Sequence, residues 1–228
     1  MSCALALAPP APAPWAALIA AARRAALPPA AAPRAAREAA VDDEDLADAR
    51  ASLGGDGAAF ARLVGRHQQA VAAQLARFTR DRSLREQLVQ DTFVEAWRSL
   101  SGWSGRAAFA AWLRTIATRV GYRFWREQAR ARAAQDVDDP RLQSALARAA
   151  GSPATVEPRE AAELLHALLA QLAPRDRLVL TLLYWEGCSV QDAAERTGWS
   201  RTMVKVQAFR ARRRLEKLLP AGLRPEER

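Results

Sequence analysis

"SVQDAAERTGWSRTMVKVQAFRARRRLEKLL", Ser189–Leu219, reads as two helical stretches separated by a glycine. Ser189 and Asp192 have the spacing of a capping box, which opens the first stretch. Ala194, Gly198 and Val204 then fall at the offsets of a helix-turn-helix. A small Ala194 lets two helices approach, Gly198 permits the tight turn, and Val204 packs the second helix against the first. Trp199 is expected to plug the angle between the helices, with Ser200 as N-cap of the second. Between Arg201 and Lys217 stand five arginines and two lysines against one glutamate, a net +6.

Such a charge on a helix that follows a tight turn suits nucleic acid. Side chains near its N-terminus reach base edges in the major groove, and flanking cations grip phosphate. Ser200, Arg201, Thr202, Lys205, Val206 and Phe209 form the candidate reading face. Arg210 and Arg213, with Arg212 and Arg214, are candidate backbone grips. A lone basic helix is more often a solvated face; the Ala–Gly–Val spacing and the caps favour the DNA reading.

The whole chain agrees with a polyanionic partner. Its 228 residues carry 34 Lys and Arg against 25 Asp and Glu, a formal +9. Cys3 and Cys188 lie far apart and His67 and His166 stand alone, so no zinc site or disulfide framework is expected. His67 and His166 read as surface or helix-face residues, and Cys188 as a small packed cysteine. No Gly-rich phosphate loop, metal-ligand cluster or nucleophile with a base is present, which argues against an enzyme and requires no cofactor. Prolines interrupt the apolar N-terminal stretch, so neither a signal peptide nor a bilayer span is expected and no membrane insertion; the location implied is cytoplasmic.

Upstream, residues 1–41 read as a disordered Ala/Pro-rich tail. From Asp42 the pattern is helical: an acidic helix, a Gly-Gly-Asp-Gly break, then a helix with Phe60, Leu63, Val64, Val71 and Leu75 at helical spacing. "SLRE", Ser83–Glu86, reads as a capping box opening a third helix, and "SGWSG", Ser101–Gly105, ends it. A long helix follows with Phe109, Leu113 and Ile116 buried beside Trp112 and with Arg114, Arg119, Arg123, Arg126 and Arg130 on other faces. Residues 134–156 are polar and hold Pro140 and Pro153, as a flexible linker would; extended, they could reach roughly 70 Å. Pro174 suits a first helical turn and Gly187 a helix stop. "RLVLTLLYW" is the one apolar run in which a strand competes with a helix. The expected fold is all-α: two small helical domains, 42–133 and 157–220, joined by the flexible linker, the C-terminal one a helix-turn-helix, with a short tail at 221–228.

One segment does not fit a DNA partner. "LVQDTFVEAWRSL", Leu88–Leu100, sets Asp91 and Glu95 one helical turn apart beside an apolar side of Leu88, Val89, Phe93, Ala96, Trp97 and Leu100. Acids favour cationic protein rather than DNA, and an exposed aromatic edge anchors such a contact. Phe93 and Trp97 are equally readable as core.

These segments together resemble bacterial RNA polymerase sigma factors of the extracytoplasmic-function (ECF) group. "LVQDTFVEAWRSL" resembles that family's polymerase-binding helix, and "FAAWLRTIATRV" its minus-ten-reading helix. "LAPRDRLVLTLLYWEGCSVQDAAERTGWSRTMVKVQAFRARRRL" resembles its minus-thirty-five-reading domain. The resemblance implies that Gln90, Asp91, Phe93 and Trp97 meet the clamp helices of the largest subunit of core RNA polymerase. It implies that Trp103, Ser104 and Arg106 of the loop, with Arg114, Arg119 and Arg123 of the helix, handle the minus-ten element of promoter DNA during melting. Phe109, Trp112 and Trp125 have a weaker claim there than as core. It implies an anti-sigma partner as well. Gln87, where an acid is common, Arg119 and Arg123, which replace a frequent Asn and Asp, and the small Ala208 depart from the family pattern. The competing reading is an autonomous dimeric helix-turn-helix regulator, for which the acidic helix has no use.

Overall fold

The computed structural model describes residues 35–132 and 158–219, and side chains within 42–132 and 162–219. Every regular element among these residues is helical. The expectations for the linker, for the C-terminal tail and for most of residues 1–41 lie outside the described residues. The first helix, α1 (Ala35–Leu53), starts seven residues before Asp42, where order was expected to begin. There follow α2 (Gly57–Leu75), α3 (Arg82–Ser99), a 3-10 turn at Leu100–Gly102 and α4 (Phe109–Arg132). The later elements are α5 (Pro158–Ala170), α6 (Pro174–Leu180) with its π-helical extension Thr181–Trp185, α7 (Val190–Thr197) and α8 (Arg201–Leu218).

Two compact units result. One holds α1 to α4 together with Val190–Arg201; the other holds α5, α6 and α8 from Thr202. By contacts, therefore, α7 and its turn count with α4, whereas the sequence alone grouped them with the C-terminal block.

In the first unit the Gly-Gly-Asp-Gly break works as read. Gly55 sits at φ +99°, and Asp56 caps α2 by accepting from the amides of Ala58 and Ala59 at 2.9 and 3.2 Å. The buried stripe of α2 is Ala59, Leu63, His67, Val71, Gln74 and Leu75, while Phe60 and Val64 are half-buried. Below it lie Leu88, Phe93, Ala96 and Leu100 of the α3 segment and Phe109, Leu113, Ile116, Val120 and Trp125 of α4. Phe78, between α2 and α3, stacks on Trp125 with ring centroids 4.3 Å apart. The Trp125 indole N–H donates to the Phe78 carbonyl at 2.8 Å. Gly121 is what allows this: a Cβ there would lie 2.4 Å from the Phe78 ring.

Two sequence readings are corrected here. The start of α3 is capped by Asp81, whose carboxylate accepts from the Leu84 amide at 3.0 Å. Ser83 is already inside the helix, and Glu86 pairs with Arg82 across one turn at 2.9 Å, so no capping box forms. His67 is not a surface residue either. It is buried against Phe109, and its Nε2 stands 2.6 Å from the fully buried carboxylate of Asp45. Asp45 also accepts from Arg66 Nε at 2.9 Å, and Asp48 accepts from Arg62 and Arg66. The Arg62 guanidinium, with Arg66 beside it, holds the Asp48 carboxyl below its ordinary value. This network clasps α1 to α2.

In the second unit the buried apolar residues are Leu164, Leu165, Leu168, Leu169 and Leu172, then Leu178, Val179, Leu180 and Leu182, and Val204, Ala208, Ala211 and Leu215 of α8. "RLVLTLLYW" is helix, ending in a π turn. Pro174 occupies the first turn of α6, and Gly187, at φ +71°, terminates the segment as read. His166 stands edge-on to Trp185 with centroids 4.7 Å apart, half-buried. Asp176, wholly buried in α6, accepts from Gln207 Nε2 at 2.5 Å and from Arg214 of α8. That pair of bonds fixes the rotation of α8 about its axis and so decides which residues it presents to solvent.

Candidate nucleic-acid and protein interfaces

Helix α8 sorts its residues cleanly. Val204, Ala208, Ala211 and Leu215 are buried at steps of three and four; Arg201, Thr202, Lys205, Val206, Phe209, Arg210 and Arg213 are exposed. Seven of the nine candidate readers and grips on the helix therefore share its solvent side, and Ser200 lies exposed just before its first residue; Arg212 is half-buried, and Arg214 is engaged by the buried Asp176. The Arg213 guanidinium sits 5.7 Å over the Phe209 ring, a cation–π contact that orders both. Small residues at 208 and 211 keep the helix close to its neighbours without disturbing this face. The turn before α8 has Gly198 at φ +74°, a value L-residues rarely adopt, and its amide donates to the Ala194 carbonyl at 2.8 Å. Trp199 is half-buried. Its ring stands edge-on to Tyr122 of α4, centroids 6.3 Å apart.

On α3 the sequence reading is partly redrawn. Phe93 is in the core at 6% exposure, so its side chain is not available to a partner. Trp97 is 46% exposed and leans edge-on against Phe60, 4.8 Å between centroids. Gln90 is exposed and Asp91 half-exposed on the same side. Val94, 47% exposed, completes that stripe at four residues from Gln90 and three from Trp97 and Asp91. The sequence reading left it off the apolar side and gave it no role; the helix's rotation, with Leu88, Thr92 and Ala96 buried, turns it outward. Glu95 lies apart from this stripe and is engaged by Arg123 of α4 at 3.2 Å.

The loop before α4 is closed on itself. Trp103 donates its indole N–H to the Ala107 carbonyl at 3.1 Å and packs on Phe109 and Trp112 at 5.4 and 6.1 Å. Its ring is half-buried, whereas Ser104 and Arg106 are exposed. Arg114, Arg119 and Arg123 are exposed along α4, Arg123 while paired with Glu95. Phe109 and Trp125 are core, as weighed, and Trp112 is half-buried rather than part of a buried stripe. Among the described residues no cluster of His, Cys, Asp and Glu could hold a metal ion, and no helix is long and apolar enough to cross a membrane.

The described residues thus present a cationic stripe on α8 and a stripe of acid, amide and exposed apolar groups on α3. Comparison with known proteins makes the class specific. Residues 63–131 match the family model for sigma-70 region 2, and residues 162–215 the model for sigma-70 region 4. The RNA polymerase sigma factor NccH of Alcaligenes xylosoxydans xylosoxydans is 33% identical over 187 residues, covering 78% of this chain and 96% of NccH. The ECF RNA polymerase sigma-E factor of Haemophilus influenzae is 29% identical over 170 residues, covering 71% of this chain and 88% of that one. The solved structure of CnrH in complex with the cytosolic domain of CnrY is 29% identical, covering 77% of this chain and 96% of CnrH, with a TM-score of 0.47. The chain belongs to the sigma-70 family of RNA polymerase sigma factors, in its ECF group.

Proposed function

We propose that this protein directs core RNA polymerase to promoters by dividing two tasks between two helical surfaces. The α3 stripe of Gln90, Asp91, Val94 and Trp97 docks on the clamp helices of the polymerase's largest subunit. The α8 stripe reads the minus-thirty-five element, with Arg201, Thr202, Lys205, Val206 and Phe209 at base edges and Arg210 and Arg213 on phosphate. Arg114, Arg119 and Arg123 line the strand path of the minus-ten element, with Ser104 and Arg106 at the loop. Phe93 supports the α3 stripe from behind and takes no direct part; Trp103 holds the loop's shape.

The observation that carries this reading is the segregation of chemistry. Seven exposed positions of α8 include four cations and no acid, while the α3 stripe offers an acid, an amide and exposed apolar groups and no cation. Counterion release rewards the first on DNA, and a clamp surface of basic residues suits the second. No catalytic step is required of the chain itself, because the polymerase performs the chemistry. An anti-sigma protein would act by covering these surfaces. The working location is the bacterial cytoplasm. An autonomous dimeric regulator is not favoured, since the matched region 2 block would have no role in it.

Two single changes test the division. Arg210→Ala, which removes a phosphate grip, should weaken promoter binding by the holoenzyme about fivefold and reduce the slope of log affinity against log salt by about one. Asp91→Ala should leave that slope unchanged and lower affinity for core polymerase about tenfold. Fluorescence titrations of each variant against both partners measure this. Equal effects of both changes on both partners would contradict it.

A further inference from the structure

The outer stripe of α8 contains one residue that phosphate contact does not explain. Val206 is 43% exposed, and its neighbours on the stripe, Arg201, Thr202, Lys205, Arg210 and Arg213, are polar or charged. Phe209, the other exposed apolar residue there, is held beneath the Arg213 guanidinium at 5.7 Å and so is tied to a phosphate-gripping cation. Val206 has no such companion. An exposed β-branched residue gains nothing in helix propensity over the lysine, arginine or glutamine found around it. What it offers is a pair of methyl groups held in nearly one rotamer, since β-branching fixes χ1 in a helix. It lies four residues from Thr202 and one from Lys205, in the middle of the face turned to DNA.

A basic protein surface or a second copy of this helix would be repelled by a segment of net +6. A major groove is not repelled, and it offers one kind of apolar group at a base edge, the C5 methyl of thymine. Resting on the reading of α8 as the minus-thirty-five helix, we infer that Val206 is a specificity residue that recognises a thymine methyl within that element. Lys205 and Arg201 supply affinity and purine contacts; Val206 supplies discrimination of one pyrimidine from another. Thymine is preferred over cytosine at that position because only thymine buries a methyl against the valine.

The test uses holoenzyme assembled from the full chain and core polymerase. Minus-thirty-five sequences are selected from a duplex library randomised there and held constant elsewhere, and each thymine of the selected element is then replaced singly by deoxyuridine. One replacement should weaken binding about fourfold, the factor that one buried methyl group sets. Val206→Ala, at an exposed position that leaves folding intact, should bind the thymine and deoxyuridine duplexes alike. Val206→Thr, of the same shape with a hydroxyl in place of one methyl, should keep part of the preference through its remaining methyl. If no thymine is sensitive, or if Val206→Ala keeps the full fourfold difference at the same base, the inference is overturned. Lys205→Ala serves to separate the two levels. If it weakens binding while no deoxyuridine does, the minus-thirty-five reading of α8 stands and the thymine inference alone fails. If it leaves binding to the selected duplex unchanged, both fail together.

Discussion

Gly121→Ala should destabilise the protein by about 2 kcal/mol, although alanine is the better helix former by roughly 1 kcal/mol in a helix interior. The two effects have opposite signs and the structure decides between them. The added Cβ would lie 2.4 to 2.5 Å from three carbons of the Phe78 ring. That ring has nowhere to go: it is buried, stacked on Trp125 at 4.3 Å, and its backbone carbonyl is held by the Trp125 indole at 2.8 Å. Relief requires α4 to move away from the turn after α2, opening gaps in a close-packed core. Chemical denaturation of the full chain measures the change. Combining Gly121→Ala with Phe78→Leu should recover part of the loss, because the two sites are in contact and their effects do not add. A stabilised Gly121→Ala protein would show that the Phe78–Gly121 packing is not as described.

Asp45→Ala should cost still more, about 3 kcal/mol. The carboxylate is fully buried and bonds both Arg66 Nε and His67 Nε2, at 2.9 and 2.6 Å. Its removal leaves the His67 nitrogen inside the protein without an acceptor and strips Arg66 of one of its buried acids. Arg66 retains Asp48 at 2.5 Å, which keeps the loss at the low end of what a broken buried ion pair costs. Asp45→Asn, which keeps the shape and an acceptor oxygen, should recover a part. Thermal unfolding followed by circular dichroism reads both changes. A loss below about 0.5 kcal/mol for Asp45→Ala would mean that α1 is not clasped to α2 by this network.

Both effects sit where sequence reasoning saw least. The turn at Gly198, the break at Gly54–Gly57 and the helix opened by Pro174 were legible because each rests on local backbone preference. The cationic stripe of α8 was legible because charge and helical period agree there. Gly121 was not, since an isolated glycine in a helix pattern carries no mark of the ring that needs its space. The Asp45–Arg66–His67 network was hidden as well, because it joins residues 21 and 22 positions apart on two helices, and surface charges of the same kind are common on solvated faces. The expected cap at Ser83 failed for a local reason: Asp81, two residues earlier, is the stronger acceptor at a helix start, and Arg82 draws Glu86 away.

The same limit applies to the acidic helix. Its period identified one apolar side, yet Phe93 and Trp97, four residues apart, ended on opposite sides of the burial boundary. Packing against Phe60 draws the Trp97 ring to the rim of the core and leaves nearly half of it in solvent. A periodic pattern finds the stripe of a helix but not its edges, and the exposed stripe proposed as the α3 contact surface is made of edge residues: Asp91, Val94 and Trp97. This is why Val94 belongs with them and Phe93 does not.

In the proposed function one protein surface holds the enzyme while another reads the DNA. Run-off transcription with purified core polymerase on a library of bacterial promoter fragments measures both together. Adding the full chain should produce discrete transcripts from a small subset of fragments, with Asp91→Ala and Lys205→Ala each reducing their yield. If the chain yields no discrete transcript from any fragment and does not associate with core polymerase, the division of labour described here is wrong.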